Sequence, residues 1–125
     1  MDRLLVVDDE PSMRRALVRE LSPEYEVVIA RGLEEALAYI ETVNALTAVV
    51  TDLMLGHGPD GLRVLAEVRE RRPECVRVLV SATTERLELA RQSGIVHAVV
   101  AKPWTAGAVL SVVRSLTQTT HARGA

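Results

Sequence analysis

The feature that most narrows the fold of this chain is a fivefold alternation between short apolar runs and amphipathic stripes. Runs rich in Val, Leu and Ile recur at residues 4–7, 25–29, 48–51, 76–80 and 98–101. They mostly lack polar alternation, as expected of strands covered on both faces. Between them the period lengthens to that of a helix. Leu33, Ala36, Leu37 and Ile40 follow i, i+3, i+4, i+7, as do Val109, Val112, Val113 and Leu116, and Met13, Ala16, Leu17 and Leu21 keep the stripe with a slightly longer step. Residues 62–71 and 85–92 are helical by length and composition. Such alternation with short connections predicts parallel strands, right-handed crossovers and helices on both faces of one open α/β sheet. A ligand site in such a sheet lies beyond the carboxyl ends of the strands, where the strand order reverses.

With 125 residues, 48% of them hydrophobic and 26% charged, the chain is one domain that can bury a core without disulfide or metal staples. A formal charge of −2 offers no general attraction to nucleic acid or to anionic membranes. No apolar run approaches the roughly 20 residues that span a bilayer. The single Cys75 has no partner for an internal bridge and no secretory leader precedes the first strand, so a reducing, cytoplasmic setting is expected. After Leu116 the chain turns small and polar and loses its period, so residues 1–118 are expected to form the domain and 119–125 a flexible tail or the start of a linker.

The residues just past the strand ends ought to meet: Asp8, Asp9 and Glu10 after the first, Asp52 after the third, Ser81 after the fourth, Lys102-Pro103 after the fifth. Crowded carboxylates repel and hold protons unless a cation neutralises them. Mg²⁺, which favours hard oxygen ligands and takes one or two carboxylates with waters and a phosphate oxygen, suits such a rim. Lys102 carries a second argument: among 15 basic residues it alone is Lys, so a compact ammonium rather than a guanidinium stands at that strand tip.

The segments Leu4-Leu5-Val6-Val7-Asp8-Asp9-Glu10-Pro11, Thr51-Asp52-Leu53-Met54-Leu55 with Asp60-Gly61 after it, Leu79-Val80-Ser81-Ala82-Thr83 and Val99-Val100-Ala101-Lys102-Pro103-Trp104 together resemble the receiver domain of bacterial two-component response regulators. The resemblance runs from residue 3 to about 118. It implies a flavodoxin-like (βα)5 fold, a doubly wound three-layer α/β/α sheet of order 2-1-3-4-5, and phosphoryl transfer from a sensor histidine kinase or phosphotransfer protein. Carried over position by position, Asp52 is the phosphoacceptor, Asp9 and Asp8 hold Mg²⁺ with Asp52 and the backbone carbonyl of Met54, Ser81 follows the phosphoryl group, and Lys102 pairs with it. The chemistry so implied is attack by an ionised carboxylate on phosphorus, with Mg²⁺ and Lys102 spreading the developing charge. Partners so implied are the phosphodonor and a downstream protein or covalently linked output domain. A homodimer through the fourth helix, last strand and fifth helix is a further option.

Plainer readings stand beside these. Asp at strand ends also caps helices, and Asp8 or Asp9 before Pro11 and Ser12 could do so. Arg69, Arg71 and Arg72 read as a solvated helix end complementing its dipole. His57 reads as a surface imidazole near the site, Cys75 as a buried or incidental thiol, Trp104 as a packing anchor, and Pro103 as a turn proline able to be cis. Rival functions are a small Mg²⁺-dependent phosphohydrolase using Asp52 as nucleophile, for which the chain has no room for a substrate-selecting cap, and an unphosphorylated binding module.

The chain departs from the receiver pattern in two places. Gly56 stands where Pro is usual and Asp60-Gly61 falls one residue later than usual, lengthening the loop 56–61. Val99 replaces the aromatic switch residue that, in the family, turns inward as Ser81's counterpart approaches the phosphoryl group. A muted response of the face from residue 84 to 116 is therefore expected. Neither Met54 nor Thr83 can orient an attacking water as an acid or carboxamide would, which predicts a long-lived phosphoryl group.

Overall fold

The computed structural model describes residues 1–56, 58–82 and 85–124. Five parallel strands, β1 (Arg3–Val7), β2 (Glu26–Ala30), β3 (Leu46–Asp52), β4 (Val76–Ser81) and β5 (Ala98–Ala101), alternate with helices α1 (Pro11–Leu21), α2 (Leu33–Thr42), α3 (Asp60–Arg71), α4 (Glu85–Gln92) and α5 (Ala108–Gly124). The strand order is β2-β1-β3-β4-β5. The chain winds outward from β1 in one direction and then, through β3, in the other, so the reversal falls between β1 and β3.

The apolar runs become strands because each residue has a core on its own side. Leu5, Val7 and Val49 enter one cluster with Leu65, Val68 and Leu79, beneath α2 and α3. Leu4, Val6, Ala48 and Val50 enter the other with Leu17, Leu21, Val109 and Val113, beneath α1 and α5. Each side chain of this size taken fully out of water contributes about 1.5–3 kcal/mol. Central β4 is buried along its whole length, whereas edge strand β2 leaves Ile29 45% exposed.

Helix boundaries obey local chemistry. Pro11 occupies the first turn of α1, where its missing N–H costs nothing. Its cap is Glu10, whose carboxylate accepts from Ser12 N (3.1 Å) and Met13 N (3.0 Å) and pairs with the Ser12 hydroxyl, so neither Asp8 nor Asp9 serves as the cap. Arg72 is not a solvated helix end: its guanidinium donates to the carbonyls of Ile40 (2.9 Å) and Val43, fastening the end of α2 to α3. Helix α5 also runs past Leu116, to Gly124. Thr117, where the apolar period fails, is buried; its hydroxyl bonds to Val113 O at 2.9 Å and meets the Tyr25 hydroxyl at 3.1 Å. A polar residue thus keeps the helix stripe by finding a polar partner, and no proline interrupts the later turns. Trp104 packs against the α1/α5 core, Cys75 is buried, and Lys102-Pro103 is cis.

Candidate functional site

Each rim residue is delivered by the strand before it. Asp8 lies just past β1, where its backbone N–H still donates to Ala30 O at 3.1 Å, and its carbonyl accepts from the Arg14 guanidinium at 2.9 Å. Asp52 closes β3, opposite Val80 on β4. Ser81 closes β4, paired with Ala101, and its carbonyl accepts the Lys102 N–H at 2.9 Å. Because the strands are parallel, these ends share one edge of the sheet.

Carboxylate oxygens of Asp8, Asp9 and Asp52 lie within 4.8 Å of one another. Asp8 is 1% exposed, Asp52 9% and Ser81 2%, while Asp9 faces solvent. The Lys102 ammonium lies 2.9 Å from Asp52 Oδ2 and 4.0 Å from Asp8 Oδ2. Burial pushes the Asp8 carboxyl up to about 6, and the neighbouring charges of Asp52 and Asp9 act in the same direction; the Glu10 N–H and Lys102 oppose them. Asp8 Oδ1 accepts that Glu10 N–H at 3.0 Å. Its Oδ2 is buried with no hydrogen-bond partner, alone in this respect among the described residues. An orphaned carboxylate oxygen at the mouth of a three-carboxylate cluster is what a small divalent cation would satisfy, so the donor set fits Mg²⁺.

Two supports of this site were not legible as such in the sequence. Gly56, at φ +66°, donates its N–H to Asp9 Oδ2 at 2.9 Å, while the loop closes on itself through Leu55 N to Gly58 O at 3.0 Å. Gly61 lies directly under Asp52: a Cβ there would stand 2.0 Å from Asp52 O. Its amide donates to Leu53 O at 2.9 Å, so α3 starts in contact with the strand tip. The Asp-Gly pair signals a turn, but nothing local signals this close approach. Glu20, on α1, reaches the start of α5.

Met54 lies just past β3 with its side chain 42% exposed. Val99 is half-buried on β5, opposite Leu79 and packed against the core under α2 and α3. His57 and Thr83 lie outside the described residues.

An acidic cluster with a facing ammonium, at the strand-order reversal of a five-stranded parallel sheet, defines a class of small α/β proteins with a polar rim site. The chain matches the response regulator receiver domain over residues 4–114, and it belongs to that family. It is a receiver domain of two-component signalling. It is 31% identical to the hydrogenase transcriptional regulatory protein HoxA of Cupriavidus necator over 124 residues, 97% of this chain and 25% of that one. The chain thus spans about a quarter of the length of the curated regulators it matches. Among solved structures it resembles the response regulator TrrA of Thermotoga maritima in complex with Mg²⁺ and BeF, with 30% identity, a TM-score of 0.79, and coverage of 93% of this chain and 99% of that one. A CheY-like receiver from Methanospirillum hungatei, 22% identical and covering 98% of each chain, shares the fold at a TM-score of 0.89.

Proposed function

We propose that this receiver accepts a phosphoryl group on Asp52, from a sensor histidine kinase or a phosphotransfer protein, and signals through a changed protein-binding surface. The observation that carries the reading is the convergence of three carboxylates within 4.8 Å, with an ammonium 2.9 Å from one of them. Asp8, Asp9, Asp52 and the Met54 backbone carbonyl are the residues that would hold Mg²⁺. When bound, Mg²⁺ supplies charge neutralisation at the phosphoryl oxygens and at the clustered carboxylates.

The chain's own residues do the rest. Asp52 attacks phosphorus through a carboxylate oxygen, forming the acyl-phosphate O–P bond as the P–N bond to the donor imidazole breaks and the electron pair leaves on nitrogen. Lys102 exchanges its contact with the Asp52 carboxylate for one with the transferred group, so the cation that stabilises the resting acid also stabilises the developing charge. Ser81, at the adjoining strand end, donates its hydroxyl to a phosphoryl oxygen. The arrangement acts on the chain's own Asp52, with no separate small-molecule substrate turned over.

The downstream partner is a protein or a covalently linked output domain, in keeping with the greater length of HoxA. On this reading residues 1–118 form the receiver and residues 119–125 begin the connection. No helix among the described residues is long and apolar enough to cross a membrane; we place the protein in the cytoplasm, where histidine kinases deliver phosphate. Association through α4, β5 and α5 is a further part of the proposal.

Incubation with acetyl phosphate and Mg²⁺, followed by intact mass, tests the chemistry. Wild type should gain one phosphoryl group, and Asp52→Asn none. Equal gain in both proteins, or no gain in wild type, would overturn it.

A further inference from the structure

Two of the segments that build the site are far apart in sequence and each leads into a helix: the acidic residues before α1, and Lys102, which leads through residues 103–107 into α5. Glu20 joins them. Its Oε1 accepts the Gly107 N–H and its Oε2 the Leu110 N–H, each at 2.9 Å, across 87 and 90 positions of sequence. Glu20 lies in the last turn of α1 and is half-buried. It therefore does for α5 what a capping side chain ordinarily does for its own helix: it satisfies amides at the amino end and places negative charge against the positive end of the dipole. Gly107 is at φ +86°, and its carbonyl accepts from Ser111 N at 2.9 Å as the first turn of α5 closes. Only four residues, Pro103 to Ala106, separate Lys102 from the Gly107 anchor. At the other end, the Lys102 N–H is held by Ser81 O at 2.9 Å.

We propose that Glu20 is a positioning residue for phosphoryl transfer: it fixes the β5–α5 segment from the α1 side and thereby holds the Lys102 ammonium against Asp52. The inference rests on the assignment of Asp52 as phosphoacceptor and Lys102 as its counter-cation. It gives α1 a second task besides burying Leu17 and Leu21, namely setting the distance between the cationic and acidic halves of the rim. A freed segment lets the long Lys102 side chain sample other rotamers. Because catalysis by a point charge depends on where that charge sits, misplacement on the order of 1 Å is enough to slow the step.

A double-mutant cycle with Glu20→Ala and Lys102→Ala, measuring the acetyl phosphate labelling rate at a temperature where circular dichroism shows every variant fully folded, isolates the effect. Glu20→Ala should slow labelling about tenfold in the wild-type background and leave the Lys102→Ala rate unchanged, because the group through which Glu20 acts has gone. Mg²⁺ affinity, followed by calorimetry, should not fall in Glu20→Ala, since Asp8, Asp9 and Asp52 are untouched and a displaced Lys102 ammonium competes less with the ion; a fall would place the effect at the acidic cluster and overturn the proposal. Emission from Trp104, which lies inside the anchored segment, should shift in Glu20→Ala before any ligand is added. An equal slowing in both backgrounds, or no slowing in either, overturns the proposal. Failure of the wild type to label, or a Lys102→Ala rate equal to that of the wild type, instead overturns the assignment on which it rests.

Discussion

Replacing Gly61 by Ala puts the contact between α3 and the tip of β3 to a direct test. The added Cβ would meet Asp52 O at 2.0 Å, Asp52 C at 2.9 Å and Leu53 Cα at 2.9 Å. All three are backbone atoms, and no rotamer change relieves them. Real Cβ atoms do not come within 3.0 Å of such neighbours, so the start of α3 and the Asp52 peptide must separate by about 1 Å. Two losses result. Overpacking of this kind costs about 1–3 kcal/mol, and the top of that range applies because the strand cannot yield without disturbing β4, whose Val80 O accepts the Leu53 N–H at 3.0 Å. For a domain of this size that is roughly a 10 °C fall in Tm. The same 1 Å moves the Asp52 carboxylate relative to Asp8 and Lys102, which should slow acetyl phosphate labelling about 100-fold at a temperature where the variant is folded. Thermal unfolding and labelling rates measured on one preparation check both. A Gly61→Ala protein with wild-type Tm and wild-type labelling would refute the claim that α3 is seated on the phosphoacceptor strand.

Other parts of the molecule carry outcomes of their own. Thr117→Val removes the acceptor of the buried Tyr25 hydroxyl and should cost about 1–3 kcal/mol by urea titration, with Tyr25→Phe in the same chain recovering part of the loss. His97 accepts the Arg77 N–H on Nδ1 at 2.9 Å, and burial, with the nearby Arg77 charge, lowers its pKa from the ordinary imidazole value. The unfolded chain therefore takes up this proton first, so the stabilisation is complete above the ordinary histidine range and fades as pH falls through and below it. Because the raised Asp8 carboxyl acts in the opposite direction over the same range, the check is a difference: between pH 8 and pH 5 the urea midpoint of wild type should fall relative to that of His97→Asn. Val99 packs against the core and carries no ring to turn, so beryllofluoride with Mg²⁺ should move amide resonances around Asp52 far more than those of residues 84–116. Large shifts across that stretch would show another route of coupling.

The strands were readable because β1, β3 and β4 are covered on both faces, which writes a continuous apolar run into the chain. Asp8, Asp52, Ser81 and Lys102 were readable for the same reason: a polar residue that ends such a run marks the strand tip, and parallel tips meet. What escaped depends on partners remote in sequence. Arg77 interrupts the run of β4 and yet is 4% exposed, its guanidinium spent on the carbonyls of Ile95, Pro73 and Cys75. Arg72 read as a solvated helix end until the third dimension supplied carbonyls for its guanidinium, and nothing in the sequence singled out Glu20, whose amide partners lie 87 and 90 positions away. The continuation of α5 was hidden by Thr117, whose polarity breaks the apolar period although its hydroxyl is satisfied inside the protein.

That long final helix has a mechanical consequence. Seventeen residues from Ala108 to Gly124 make a rod about 25 Å long, with its near end held by Glu20 beside the rim. A second tie, from Thr117 to the Tyr25 hydroxyl, fixes the rod about 14 Å further along. Held at two points, it is a strut rather than a lever, keeping the segment beside the rim and the turn before β2 at a fixed spacing.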